Sequence, residues 1–129
     1  MRAFSMATLA VCLSASAAAA DFSISFEWGD IPRCTTGRPN VVGNPRFILS
    51  DVPPGTDTIE FRLKDLDVPG YNHGGGRLRV GQDGAIPSGT FNYKSPCPPN
   101  GVHTYEWRAT ARRGNQVLGQ AAARRRYPE

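Results

Sequence analysis

Asp65, His73, His103 and Tyr105 are the residues whose types could act together on a ligand. Asp65 ends the run Ile59-Glu60-Phe61-Arg62-Leu63-Lys64-Asp65, in which Ile59, Phe61 and Leu63 alternate with polar neighbours. By period two it continues their face, so a strand would carry a carboxylate where its apolar side ends. Burying a carboxylate unpaired is costly, which places Asp65 at a pocket rim or beside donors. Val68-Pro69 then turns the chain sharply, with a cis peptide as one option at Pro69. His73 follows within Tyr71-Asn72-His73-Gly74-Gly75-Gly76. Three glycines let the backbone approach a ligand or another strand closely, and a flexible hairpin tip is the plainer reading. The Lys-Ser/Thr ending of a phosphate loop is missing. Further on, Pro96-Cys97-Pro98-Pro99 makes a rigid loop that enters a strand on which His103, Tyr105 and Trp107 share a face. An imidazole and a phenol there offer hydrogen-bond donors to an anionic oxygen, or form a structural pair at a strand end.

The elements that must position these groups are short. Gly and Pro break the chain often, and no segment after residue 20 has a capped run of helical periodicity. Alternation marks Phe22–Phe26, Ile59–Lys64 and His103–Thr110 as half-buried strands. Weaker strand signals cover Arg46–Leu49, Arg77–Val80, Thr90–Tyr93 and Ala121–Arg126. Turn residues cluster at 51–56 and 81–84. The expected class is therefore mostly β, an antiparallel sandwich or related Greek-key arrangement with short or no helices.

The first 20 residues read as a cleaved secretory signal: Arg2, an apolar alanine-rich run, then Ala18-Ala19-Ala20 before Asp21. The run is too short for a membrane span. A buried N-terminal helix and lipid attachment at Cys12 are the alternatives. Residues 21–129 then form a single domain of a size that buries a real but thin core. An exported chain with two remaining cysteines, Cys34 and Cys97, suggests a disulfide between them, with free metal-binding thiols as the rival. The expected location is periplasmic or secreted. The formal net charge is +4. Its excess lies late, at Arg112-Arg113 and Arg124-Arg125-Arg126, where anionic lipid or nucleic acid is one reading and a solvated edge the plainer one. Export argues against nucleic acid.

The motif order resembles the phosphatidylethanolamine-binding protein family, in its bacterial Raf-kinase-inhibitor-like branch. The pieces are Asn44-Pro45, Asp51-Val52-Pro53-Pro54-Gly55-Thr56, Asp65-Leu66-Asp67-Val68-Pro69, and Pro96-Cys97-Pro98-Pro99 followed by Gly101-x-His103-x-Tyr105. The resemblance implies a β-sandwich-like fold with a small pocket for anions such as phosphate head groups. It assigns Asp65 and Pro69 to the pocket carboxylate and proline, and His103 and Tyr105 to the second histidine and the aromatic two residues on. Cys97 falls where loop backbone lines the pocket. His73 stands in for the first histidine, although Gly74 follows it in place of a bulky aromatic. Ser95 replaces a usual glycine and Leu66 a usual proline. The chain is shorter than typical members, so peripheral helices are expected to be missing. Asp65 would orient or charge a histidine, and phosphate would bind more tightly at mildly acid pH.

The first functional expectation is a non-enzymatic exported binding protein for a small anion or phosphorylated head group, without cofactor or metal. The second is an inhibitor or interaction module that engages an exported protein partner through its loops. An enzyme comes third, because Ser95 has no mark of a nucleophile and Cys97 is expected to be oxidised.

Overall fold

A computed structural model describes Ala3, Ala10, Val11 and residues 21–129. The signal-peptide reading of residues 1–20 therefore falls almost wholly outside the described residues.

Among the described residues, nine strands account for the regular structure: β1 (Ser23–Phe26), β2 (Val41–Gly43), β3 (Phe47–Ser50), β4 (Thr58–Asp65), β5 (Gly75–Leu78), β6 (Gly84–Ile86), β7 (Asn92–Lys94), β8 (His103–Arg113) and β9 (Gln116–Tyr127). No helix occurs among the described residues, as the missing helical periodicity led one to expect. The strands form a four-stranded sheet in the order β5-β4-β8-β9, a three-stranded sheet β1-β3-β6, and a β2-β7 pair. Every pairing is antiparallel.

Alternation on β4 and β8 builds the core. Ile59, Phe61 and Leu63 on β4 are buried beside Tyr105, Trp107, Ala109 and Ala111 on β8. From the facing sheet come Ile24, Phe26, Phe47 and Leu49. Phe47 stacks on Phe61 with ring centroids 4.7 Å apart and meets Trp107 edge-on at 5.2 Å. Each such buried aromatic contributes about 1.5–3 kcal/mol through the area it removes from water. The alanines of β8 and Ala121 of β9 leave room for these large rings.

Two glycines mark a close approach of strands, not a ligand loop. A Cβ on Gly75 would sit 1.7 Å from the Phe61 carbonyl oxygen, and one on Gly76 would meet the Phe91 ring at 2.5 Å. Small residues here let β5 lie against β4 under Phe91. The expected strand at 77–80 starts two residues earlier for this reason.

Cys34 and Cys97 form a disulfide across a sequence separation of 63, with Cα atoms 4.6 Å apart. The link joins the segment before β2 to the proline loop before β8. No helix of the described residues is long and apolar enough to cross a membrane.

Candidate functional site

The last inward residue of β4 and the first of β8 meet at one end of the four-stranded sheet. Asp65 pairs with Tyr105 in register, and His103 precedes Tyr105 by two on the same face. The Asp65 carboxylate is 4% exposed, so it needs partners, and it has three. Oδ1 accepts the backbone N–H groups of Asp67 at 2.9 Å and Val68 at 3.2 Å. Oδ2 lies 2.6 Å from His103 Nδ1. A carboxylate presented between an amide turn and an imidazole fixes that ring through a charge-assisted bond.

The turn itself is stitched to β8. Leu66 N–H donates to the Thr104 carbonyl at 2.8 Å, and Thr104 N–H donates to Asp67 Oδ2 at 2.8 Å. Asp65-Leu66-Asp67 therefore acts as a clamp that holds the end of β4 against the start of β8.

His73 arrives from the other side. Its Nδ1 is 2.7 Å from the Lys94 carbonyl oxygen, which can only accept, so Nδ1 carries the proton. The Lys94 N–H returns a bond to the His73 carbonyl at 2.8 Å. The ring packs edge-on against Tyr71 at 4.6 Å and Tyr105 at 5.6 Å. Burial lowers its pKa from 6.5, outweighing the Lys94 carbonyl and the Asp65 charge, which favour the protonated form. At neutral pH the ring is a neutral imidazole with Nε2 as an acceptor. Burial, reinforced by the Asp65 charge, raises the pKa of Tyr105 and keeps its phenol protonated.

These groups enclose a cavity of about 220 Å3 lined by Asp65, Val68, Tyr71, His73, His103 and Tyr105 together with the disulfide segment. That segment supplies Gly37, Pro39, Cys97, Pro98 and Pro99. Gly37 N–H donates to the Cys97 carbonyl at 3.1 Å, so the wall is tied to the proline loop next to the disulfide itself. Gly37 takes a φ of 79°, a conformation that favours glycine.

Asp65, His73, Cys97, His103 and Tyr105 are thus brought together as the sequence suggested. Pro69 is not: it is exposed and does not line the cavity, because the turn after Asp65 places the half-exposed Val68 at the cavity rim instead. Its peptide is trans; the cis bond of the described residues is Tyr127–Pro128. Ser95 is fully buried, with its hydroxyl donating to the Asn40 carbonyl at 3.1 Å. Missed from sequence were Tyr71, Val68 and the Gly37–Pro39 wall. The wall had one available signal, the disulfide, which must carry residues next to Cys34 to the loop around Cys97.

Asp65, Asp67 and His103 also place one potential metal-ligand atom each within 4.8 Å of one another. Their lone pairs are already committed to backbone amides and to each other, which is a poor cation cage. A larger open depression of about 610 Å3 lies by Glu27, Arg125 and Glu129. Size does not make it the better site, because its charges neutralise one another: Arg125 is 2.7 Å from Glu129 and 4.0 Å from Glu27.

No family model matches the chain. A curated UPF0098 protein of Methanothermobacter thermautotrophicus is 35% identical over 71 residues, a match covering 50% of this chain and 38% of that protein. The chain thus spans well under half the length of the curated relative it matches. Among solved structures, a phosphatidylethanolamine-binding protein homologue from Chlamydia trachomatis superposes with a TM-score of 0.63 at 16% identity, covering 84% of this chain and 98% of that one. The resemblance read from the motifs is borne out in the fold.

Proposed function

From the premise that the chain has the phosphatidylethanolamine-binding protein fold, we propose that it is an exported, non-enzymatic binding protein for a small anion or phosphorylated head group. One observation carries this reading. Two histidines, each with Nδ1 engaged by the protein, line one small cavity with a protonated phenol. In each ring Nε2 remains for a ligand. It is an acceptor when the ring is neutral and a donor when it is protonated. An anion needs donors, so binding it draws a proton onto the His73 imidazole, and affinity rises as pH falls.

Among the described residues near the cavity, neither Ser95 nor Cys97 is poised as a nucleophile, which agrees with a binding role. The Cys97 sulfur is in the disulfide and the Ser95 hydroxyl is buried on a carbonyl. A disulfide is consistent with an oxidising compartment, which agrees with the export reading. Enzyme chemistry and an exported protein partner are the competing functions.

Titration with inorganic phosphate by calorimetry, followed by two-dimensional NMR of the imidazole signals, tests the proposal. Expected is binding that tightens by about tenfold or more between pH 8 and pH 5.5, with shifts at His73 and His103. Binding that ignores pH, or shifts confined to residues outside the cavity, would remove the reading.

A further inference from the structure

The outer face of the four-stranded sheet holds an excess of cations. Side chains opposite the core on neighbouring strands share this face by register: Glu60, Arg62 and Lys64 on β4, Arg77 on β5, Glu106, Arg108 and Arg112 on β8, Arg124 and Arg126 on β9. Seven cations face two carboxylates. The cations are presented to solvent: the side chains of Arg62, Arg77, Arg108 and Arg124 are 52–65% exposed. The acids lie beneath them. Glu106, with a side chain 5% exposed, is held by Arg124 at 2.9 Å and Arg108 at 3.0 Å. Glu60 is 3.5 Å from Arg77 and 3.8 Å from Arg62. Lys64 and Arg126 have no carboxylate partner among the described residues.

We propose that this face docks electrostatically on the surface of an anionic phospholipid bilayer. Charge complementarity favours that occupant, and the composition of the face disfavours others. Between the cations stand Thr104, Thr110, Gln120 and Ala122, with no aromatic ring on which a base could stack. The face is a sheet with no protruding helix to enter a groove. It also lacks the aromatic and apolar centre of a protein interface. Cations spread over four strands about 4.8 Å apart suit a diffuse layer of lipid phosphates, each near cation adding to the attraction within a Debye length of about 10 Å at 0.1 M salt. The proposal does not depend on occupancy of the His73–His103 cavity.

The test is co-sedimentation of the disulfide-bonded chain, residues 21–129, with vesicles of phosphatidylcholine alone or with one quarter phosphatidylglycerol. Expected is phosphatidylglycerol-dependent binding at 50 mM salt that is lost at 500 mM. Lys64→Gln with Arg126→Gln, which break no ion pair, should weaken it about tenfold or more. Arg33→Gln with Arg46→Gln makes the same change in net charge off this face and should leave it within about twofold. Absence of phosphatidylglycerol dependence, equal weakening by the two double variants, or tighter binding to a single-stranded oligonucleotide at the same salt would each overturn the proposal.

Discussion

His103 Nδ1 and Asp65 Oδ2 stand 2.6 Å apart where the start of β8 meets the end of β4. The bond joins residues 38 positions apart and lies in a nearly dry setting, with side chains 15% and 5% exposed. It locks the ring so that Nε2 is the free nitrogen. The same bond serves stability, since Asp65 would otherwise be a buried carboxylate held by two amides alone.

Removing the imidazole tests that second role. His103→Ala is expected to cost about 1–3 kcal/mol, the penalty of stripping one charge-assisted bond from a buried carboxylate. His103→Asn keeps a donor near the same place and should recover part of the loss. Urea unfolding at pH 7 measures both. An alanine variant as stable as the parent would mean that water replaces the ring without cost.

His73 makes the fold sensitive to acid. Its folded pKa lies below the unfolded value of 6.5 because of burial. Between those two values the unfolded chain holds more protons, so stability rises with pH there. The contribution is intact above about pH 6.5 and is lost as pH falls toward the folded value. His73→Asn retains a donor for the Lys94 carbonyl but has nothing to titrate. Melting temperature followed from pH 7.5 to 5 should fall more steeply for the parent than for the variant. Parallel curves would contradict this. Phosphate bound at Nε2 should offset the parent's loss.

How far the site could be read in advance follows from periodicity. Asp65, His103 and Tyr105 lie on strands whose alternation extends from a clear apolar core, so their face was determined by counting in twos. The two cysteines after residue 20, Cys34 and Cys97, had one possible pairing with each other. Pro69 and Tyr71 lie in an irregular turn, where a shift of one residue changes which side chain faces the cavity, and Val68 took the place at the rim. β2 and β6 have three residues each, too few for a period to show. At β5 the pattern was absent from Gly75 and Gly76 because the strand uses them for what they lack, a Cβ.

The disulfide is expected to hold the cavity wall as well as the fold. Cys34→Ser with Cys97→Ser should cost about 2–4 kcal/mol. Where the variant still folds, the Gly37 N–H bond to the Cys97 carbonyl should exchange with solvent much faster than in the parent. Phosphate affinity should fall together with that protection. A variant with parental exchange at Gly37 would show that the wall stands on its own hydrogen bonds.

Gly75 supplies a steric test of the β4–β5 contact. A methyl group there would lie 1.7 Å from a backbone oxygen, and backbone cannot rotate away as a side chain can. Gly75→Ala must therefore spread the strands and is expected to destabilise by about 1–3 kcal/mol or more. The loss should appear in thermal unfolding and in amide exchange at Leu63, whose N–H donates to the Gly74 carbonyl at 3.1 Å. Unchanged protection of Leu63 would be the contrary result.

Glu106 opposes His73 in its response to pH. Burial would raise its pKa, but the hydrogen bonds and charges of Arg124 and Arg108 outweigh burial and hold it below the usual 4.5. The folded state therefore binds a proton here less readily than the unfolded state. Its contribution is complete above about pH 4.5 and is lost as pH falls through the folded value. Because both guanidinium groups are more than half exposed, the stabilisation is modest, about 1 kcal/mol. Glu106→Gln should be less stable than the parent by that amount at pH 7 and equal to it at pH 2.5. A gap that persists at pH 2.5 would assign the loss to shape instead of charge. High salt should also narrow the gap at pH 7, since the ions reach exposed arginines that they cannot reach at the buried Asp65.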